Sequence, residues 1–138
     1  MKVLIVDKSE EVIQRTADIV EQVSHITSIT KASTYRDALE YFSNHQPDVV
    51  VLDMGLGGTE FIHLLCDIKN IHPGTVVIAQ SIHIDETIEK DCLLKGADFF
   101  FDKYNDYNKI PITLEELFKE NKSTDSDHEN QETLFQGA

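Results

Sequence analysis

One stretch decides the fold: Asp48-Val49-Val50-Val51-Leu52-Asp53, in which four consecutive apolar residues stand between two carboxylates. A strand covered on one face alternates apolar and polar residues, whereas a strand buried on both faces is apolar throughout. The run therefore predicts a strand of a parallel sheet with helices on both faces. Asp53 then lies at the carboxyl end of this strand, the edge at which open parallel sheets carry their sites.

Similar apolar runs recur along the chain and alternate with segments of helical period. The predicted strands are 2–7, 25–32, 48–53, 76–79 and 97–101, of which 25–32 is the weakest. Five helices alternate with them, and the last is predicted to open at a capping box formed by Thr113 and Glu116. Strands alternating with helices predict an α/β domain with right-handed crossovers.

The charge balance excludes several classes of partner. The chain has 25 acidic and 12 basic residues, a net charge of -13. Phosphate backbones and anionic membranes would be repelled, so we expect no direct nucleic-acid or membrane binding. Cys66 and Cys92 are far apart and predict reduced packing cysteines. No apolar run reaches the roughly 18–20 residues of a membrane span, and the first residues do not resemble a signal peptide, so we expect a cytoplasmic protein.

The helical and strand periods end near residue 121, which predicts one domain over 1–121. The remainder, 122–138, is polar and acidic and is predicted to be a disordered tail. Within it, Glu132-Thr133-Leu134-Phe135-Gln136-Gly137 resembles a picornaviral protease site used to remove tags. We therefore interpret that segment as a cloning scar and exclude it from the function.

Polar residues stand where the strong strands end. Three strands end in Asp7, Asp53 and the pair Gln80-Ser81, and the last runs towards Lys103, so these residues should converge on one rim. The carboxylate of Asp53 is a nucleophile toward phosphorus. An acyl phosphate formed there would need neutralising cations, such as Mg²⁺ held on oxygens and the ammonium of Lys103. Gln80 or Ser81 would hydrogen-bond a phosphoryl oxygen.

Three stretches, in this order and spacing, resemble the receiver domain of response regulators: Val3-Leu4-Ile5-Val6-Asp7, 47–53 and 95–103. The resemblance covers residues 1 to about 120 and implies a doubly wound α/β fold, a five-stranded parallel sheet in the order 2-1-3-4-5 with five flanking helices. It further implies that a histidine kinase or phosphotransfer protein phosphorylates Asp53. Lys103 matches the lysine that contacts the phosphoryl group, and Phe100 matches the switch aromatic, although a packing role fits Phe100 nearly as well.

The first departure from the family concerns metal binding. The family usually has two adjacent acids after its first strand, and the second is normally a direct metal ligand, whereas this chain has Asp7-Lys8. The oxygens left for Mg²⁺ are those of Asp7, Asp53 and the carbonyl of Gly55. Lys8 fits a solvated charge or an ammonium standing in the place of the metal equally well. On the second reading Mg²⁺ is predicted to bind weakly or not at all.

Three further departures concern the loops around the site. The family's switch Ser or Thr aligns with Gln80, and Ser81 is expected to serve only if the strand slips by one residue. The family's Lys-Pro bond, usually cis, is here Lys103-Tyr104 and is predicted to be trans. The usual turn after the phosphoacceptor is replaced by Gly57-Gly58-Thr59-Glu60.

The favoured function is a signalling receiver, not an enzyme, that accepts a phosphoryl group on Asp53 and passes the signal to a protein effector. The resemblance implies an output face on the fourth helix, last strand and last helix, near Ile82, Ile84, Tyr104 and Tyr107. The alternative is a phosphorylation-independent interaction module that keeps the fold, for which Lys8 and Gln80 are the evidence. A flavin- or nucleotide-binding domain is disfavoured because the first loop lacks a phosphate cradle. The sequence leaves homodimerisation open.

Overall fold

The structure is a computed structural model that describes residues 1–56, 59–82 and 85–120. Its elements, in chain order, are β1 (Lys2–Val6), α1 (Glu10–Glu21), β2 (Ser28–Ala32), α2 (Tyr35–His45), β3 (Val49–Asp53), a 3-10 turn (Met54–Leu56), α3 (Glu60–Ile71), β4 (Val76–Ser81), α4 (Glu86–Leu94), β5 (Phe99–Asp102) and α5 (109–120).

The five strands form one parallel sheet in the order β2-β1-β3-β4-β5. The fold class and the strand order are therefore confirmed. The weakest predicted strand, 25–32, is observed as β2 at Ser28–Ala32. The register aligns the carboxyl ends of the strands, since Asp53 is opposite Gln80 and Ser81 is opposite Asp102. Polar residues at these ends consequently share one edge of the sheet.

The core lies on both faces of the sheet. All five residues of β3 are buried, as its apolar run predicts. On one face, Leu4 and Val50 pack against Phe42 of α2 and Phe61 of α3. Burial of each large apolar side chain contributes roughly 1.5–3 kcal/mol, so this face anchors the sheet firmly.

The opposite face is covered by α1 and α5. Ile5 and Val51 of the sheet share a cluster with Ala17 of α1 and Leu114 of α5. Asp7 and Asp53 continue the same alternation two residues further along their strands, because side chains two apart share a face. The two carboxylates therefore project from the α1–α5 side of the sheet at its carboxyl edge.

The start of α5 corrects one prediction. The helix begins at residue 109, so the capping box at Thr113 and Glu116 is wrong. Thr113 lies within the helix, where its Oγ1 donates a hydrogen bond to Lys109 O at 2.8 Å. Pro111 falls in the first turn, where its missing N–H has no intrahelical partner to lose. At the other end of this region, α4 is followed by Gly96, whose φ of 115° favours glycine.

Several expectations fall on residues outside the described ranges. They are the turn glycines Gly57 and Gly58, the contact residue Ile84, the domain boundary at residue 121 and the tail 122–138 with its scar. These stay predictions. Within residues 1–56, 59–82 and 85–120, no helix combines the length and apolar character that a membrane crossing needs.

Candidate functional site at the carboxyl edge of the sheet

Three strand ends bring two carboxylates and one ammonium together. Asp7 follows β1, Asp53 ends β3 and Lys103 follows β5. Lys103 Nζ lies 2.9 Å from Asp7 Oδ2 and 3.3 Å from Asp53 Oδ2. The side chains of Lys103, Asp7 and Asp53 are only 9%, 3% and 6% exposed. The structure thus joins the three residues that the strand ends were expected to bring together.

The backbone around each carboxylate fixes its orientation. Asp7 Oδ1 accepts a hydrogen bond from Ser9 N at 2.9 Å, and Ser9 in turn caps α1 by accepting from Val12 N. Asp53 accepts a hydrogen bond from the N–H of Gly55. A Cβ at Gly55 would lie 3.0 Å from Asp53 Oδ2, so a larger residue there would press on that carboxylate oxygen.

The electrostatics of the cluster are unbalanced. Burial raises the pKa of Asp53, and the charge of Asp7 raises it further; Lys103 and the Gly55 N–H lower it, but the net shift of the pKa is upward. For Lys103, burial lowers the pKa, yet the hydrogen bond to Asp7 and the charges of both carboxylates outweigh it, so its pKa is raised. The Lys103 ammonium therefore stays protonated, whereas the charged form of Asp53 is destabilised by burial and by the neighbouring charge of Asp7.

The cluster opens into a cleft of about 530 Å³. Its described walls are formed by Asp7, Lys8, Ser9, Asp53, Met54, Gly55, Ser81, Ile82, Ile88 and Lys103. Ser81 is a wall residue even though Asp53 pairs with Gln80. The last residue of β4 therefore borders the cleft, and whether its hydroxyl or the Gln80 side chain contacts a phosphoryl group stays a prediction. Gln80 is buried beside Asp53 in the sheet.

A Mg²⁺ ion would find ligands of the right chemical kind here. Asp7 and Asp53 supply carboxylates, Gly55 supplies a carbonyl, and Asp7 Oδ2 is buried with the Lys103 ammonium 2.9 Å away. In the same ranges, no group of three or more His, Cys, Asp or Glu is arranged to hold a metal. Lys8 is exposed and lines the cleft where the family usually has a second acid. The residues fit Mg²⁺ with two carboxylates.

Phe100 lies on the α2–α3–α4 side of the sheet, away from the carboxylates. Its ring is half-buried and packs against the apolar cluster on that face, while its backbone pairs with Ala79. Phe99 and Phe101 face the other side, with ring centroids 6.0 Å apart. Phe100 thus has both a packing environment and partial exposure, the two properties that a mobile aromatic requires.

The segment after β5 is organised without proline. The Lys103-Tyr104 bond is trans, as predicted, and no described peptide bond is cis. Asp102 Oδ1 accepts hydrogen bonds from Tyr104 N and Asn105 N, both at 2.9 Å. These two bonds, with Asn105 first, lower the pKa of Asp102. The bond from Tyr104 N, two residues on, is that of an Asx turn, and an aspartate directly after an apolar strand is the signal from which this turn was predictable.

Arg15 of α1 is a site neighbour that sequence reasoning missed. Its Nη2 donates a long hydrogen bond, 3.4 Å, to Lys103 O. Its guanidinium also lies 5.7 Å from the ring centroid of Tyr104 and 5.2 Å from that of Tyr107. No local pattern marks this contact, because it joins residues 88 positions apart in the chain.

Comparison with curated proteins finds several sequence relatives of this chain. It is 30% identical over 108 residues to the Fimbriae Z protein of Salmonella typhimurium, covering 78% of this chain and 51% of that protein. It is 31% identical over 108 residues to a protein-glutamate methylesterase/protein-glutamine glutaminase of Pseudoalteromonas translucida, covering 77% and 28%. The Vibrio cholerae regulatory protein LuxO is 24% identical, with 79% and 24% covered. The chain thus spans about half or less of the length of these relatives.

Solved structures agree on the fold. A CheY-like receiver domain of Methanospirillum hungatei superposes with a TM-score of 0.78 at 21% identity, covering 89% of this chain and 97% of that one. A Francisella receiver domain gives 0.77 at 24% identity, covering 87% and 98%. The family profile of the response regulator receiver domain matches residues 3–115. The chain belongs to the response regulator receiver domain family of two-component signalling.

Proposed function

We propose that this chain accepts a phosphoryl group on Asp53 from a histidine kinase or a phosphotransfer protein and relays the signal to a protein effector. One observation carries the proposal: the Asp53 carboxylate lies 3.3 Å from the Lys103 ammonium on the wall of an open cleft. A nucleophilic oxygen and a fixed cation beside it are what transfer of a phosphoryl group to a carboxylate requires.

The chemistry follows from these groups. An Asp53 oxygen forms a bond to phosphorus while the phosphorus–nitrogen bond of the donor's phosphohistidine breaks, and the leaving imidazole takes up a proton. Lys103 Nζ stabilises the negative charge on the phosphoryl oxygens, and it is already within 3.3 Å of the attacking carboxylate. The Gly55 N–H, which donates to Asp53, holds that carboxylate in place. Gln80 or Ser81, of which Ser81 lies on the cleft wall, donates a hydrogen bond to a phosphoryl oxygen.

Mg²⁺, when bound, would neutralise charge on the phosphoryl oxygens, and Asp7, Asp53 and the Gly55 carbonyl would hold it. Receiver domains typically bind this ion at their phosphorylation site. Lys8 replaces one carboxylate with a positive charge at the mouth of the cleft, so we propose that binding here is weak. Asp7 retains its role of orienting Lys103, because their charged atoms are 2.9 Å apart.

The proposed output runs through the side of the domain that holds Phe100, α4 and the segment after β5. Ile82, Tyr104 and Tyr107 are 52%, 57% and 37% exposed there, which suits an apolar protein contact. The net charge of -13 favours a basic face on the partner and disfavours nucleic acid or an anionic membrane. A cytoplasmic location and a domain boundary at residue 121 belong to the same proposal, which leaves homodimerisation open.

A second candidate is a phosphorylation-independent interaction module. The observation in its favour is that Lys103 already forms ion pairs with both carboxylates, beside a cleft at whose mouth Lys8 replaces an acid. In that case the cluster holds one conformation permanently and the exposed face alone binds the partner. The two candidates differ in one respect, which is whether Asp53 gains a phosphoryl group.

Intact mass after treatment with a small phosphodonor and Mg²⁺ distinguishes them. The natural chain is expected to gain the mass of one phosphoryl group. Asp53→Asn is expected to gain nothing, whereas Asp48→Asn, a matched change at the exposed residue just before the same strand, is expected to behave like the natural chain. A natural chain that stays unmodified would favour the interaction module.

A further inference from the structure

We propose that Arg15 is a positioning residue for Lys103. It binds the segment that follows Lys103 through two tyrosine rings and one carbonyl, and so holds this segment against α1. Lys103 Nζ is thereby kept between Asp7 and Asp53. The consequence for phosphorylation rests on the proposed function, while the geometric claim does not.

The first support is the way the Lys103 backbone is held. On the sheet side, Lys103 N donates a hydrogen bond to Ser81 O at 2.9 Å. On the other side, Lys103 O accepts from Arg15 Nη2 at 3.4 Å. A trans bond to Tyr104 follows, so no proline ring restricts the chain here. Arg15 is therefore the side chain that restrains the outer side of this residue.

The second support is the pair of aromatic rings on one guanidinium. Tyr104 and Tyr107 lie 5.7 Å and 5.2 Å from Arg15 Cζ, within the range of about 6 Å in which a cation is attracted to a ring face. Both rings are exposed, at 57% and 37%. Because the guanidinium is planar, it can contact two ring faces in a way that a lysine ammonium cannot.

The third support is that α1 contacts both Asp7 and the segment after Lys103. Asp7 is fixed to the start of α1 by its hydrogen bond from Ser9 N. Arg15 lies on the same helix, whose buried residues Ala17 and Val20 pack it against the sheet. Within the described residues, Arg15 forms no ion pair, and its Nε is buried without a partner. Helix α1 thus fixes Asp7 at its start and, through Arg15, the segment that follows Lys103.

The test compares two arginines in the full chain. Arg15→Met removes the contact, and Arg36→Met makes the same change on an exposed position of α2. The first readout is NMR of selectively labelled lysine, with the ε-methylene signal of Lys103 assigned by Lys103→Arg. A held ammonium gives separate signals for the two ε-protons. We expect Arg15→Met to merge them and Arg36→Met to leave them unchanged.

The second readout is the rate of phosphoryl uptake by Asp53. Because small misplacements at a reacting centre are costly, Arg15→Met is expected to slow it about tenfold. Tyr104→Phe keeps the ring and should take up the phosphoryl group at the rate of the natural chain, whereas Tyr104→Leu should slow uptake. If Arg15→Met does not fold, the comparison of these two Tyr104 variants tests the proposal in its place. Separate Lys103 signals in a folded Arg15→Met chain would overturn the proposal. If the natural chain takes no phosphoryl group, the proposed function fails while the NMR result still decides this inference.

Discussion

Each end of the sheet carries a lysine paired with aspartate, and the two pairs differ. At the amino end, Lys69 Nζ lies 2.7 Å from Asp98 Oδ2 and donates to Thr75 O at 2.6 Å. Asp98 Oδ2 also accepts from Val77 N at 2.8 Å. One cation meets one anion there, and neutral backbone groups complete the hydrogen bonding. At the carboxyl end, Lys103 meets two carboxylates instead.

The difference teaches how a structural pair can be told from a functional cluster. The side chains of Lys69 and Asp98 are 18% and 39% exposed, whereas those at the carboxyl end are all below 10% exposed. Burying a second carboxylate beside Asp7 raises the pKa of Asp53 and costs stability. Stability alone gives no reason for that arrangement, whereas a site that must receive another charged group does.

The largest expected effect comes from removing the central cation. Lys103→Met leaves two buried carboxylates without a counter-charge, and we expect the free energy of unfolding at pH 7 to fall by about 3 kcal/mol. Denaturant unfolding measures it. The matched change at the other end, Lys69→Met, leaves one partly exposed carboxylate that still accepts from Val77 N, so its cost should be about 1 kcal/mol or less. Equal costs would remove the distinction between the two ends.

Metal binding should respond next. Lys8→Asp restores a carboxylate at the cleft and removes a positive charge, and a unit charge about 4 Å away is worth up to about 4 kcal/mol at an effective dielectric near 20. Solvent screens most of this, so Mg²⁺ affinity is expected to rise about tenfold. Calorimetric titration compares the natural chain, Lys8→Asp and Lys90→Asp, an exposed change on α4. Tight binding to the natural chain, unaltered by Lys8→Asp, would mean that Lys8 plays no part.

Replacing the second carboxylate should stabilise the fold. Because the folded pKa of Asp53 is raised, its contribution to stability is fully present below the unfolded pKa and is lost as pH rises through the folded value. Asp53→Asn is therefore expected to raise the free energy of unfolding at pH 7, on the order of 1 kcal/mol. The advantage should shrink towards acid pH. Urea titrations at several pH values measure this change. A free energy of unfolding that falls at pH 7 in Asp53→Asn would show that the carboxylate stabilises the fold.

The smallest expected effect concerns the turn after β5. The pKa of Asp102 is lowered by hydrogen bonds from Asn105 N and Tyr104 N. Its contribution to stability is thus present above the unfolded pKa and is lost as pH falls through the folded value. Asp102→Asn should lower the thermal midpoint slightly at pH 7 and not at all in strong acid. A difference that grows as the pH falls would contradict this sign.

Much of this site was predictable because apolar runs fix where strands end. Once Val49 to Leu52 is recognised as a buried strand, Asp53 must lie at its carboxyl edge, and the same reasoning brings in Asp7 and Lys103. The start of α5 was not predictable, because the local Thr113 motif competes with burial of Ile110 in the core. Such packing is tertiary, and local capping patterns do not record it.

The rim of the site was less predictable for a related reason. Which of Gln80 and Ser81 borders the cleft depends on how the sheet edge is covered, and not on strand period alone. The contact of Arg15 with Tyr104 and Tyr107 joins α1 to the segment after β5. No sequence spacing encodes a contact between such distant segments, so the fold had to be known first.

One measurement tests the central claim most directly. Borohydride reduces an aspartyl phosphate to homoserine, so treating the phosphodonor-exposed chain and mapping its peptides by mass locates the modified residue. We predict homoserine at position 53 in the natural chain, and at no position in Asp53→Asn. Finding homoserine at Asp7 or another carboxylate, or at none while the chain remains folded, would contradict the account.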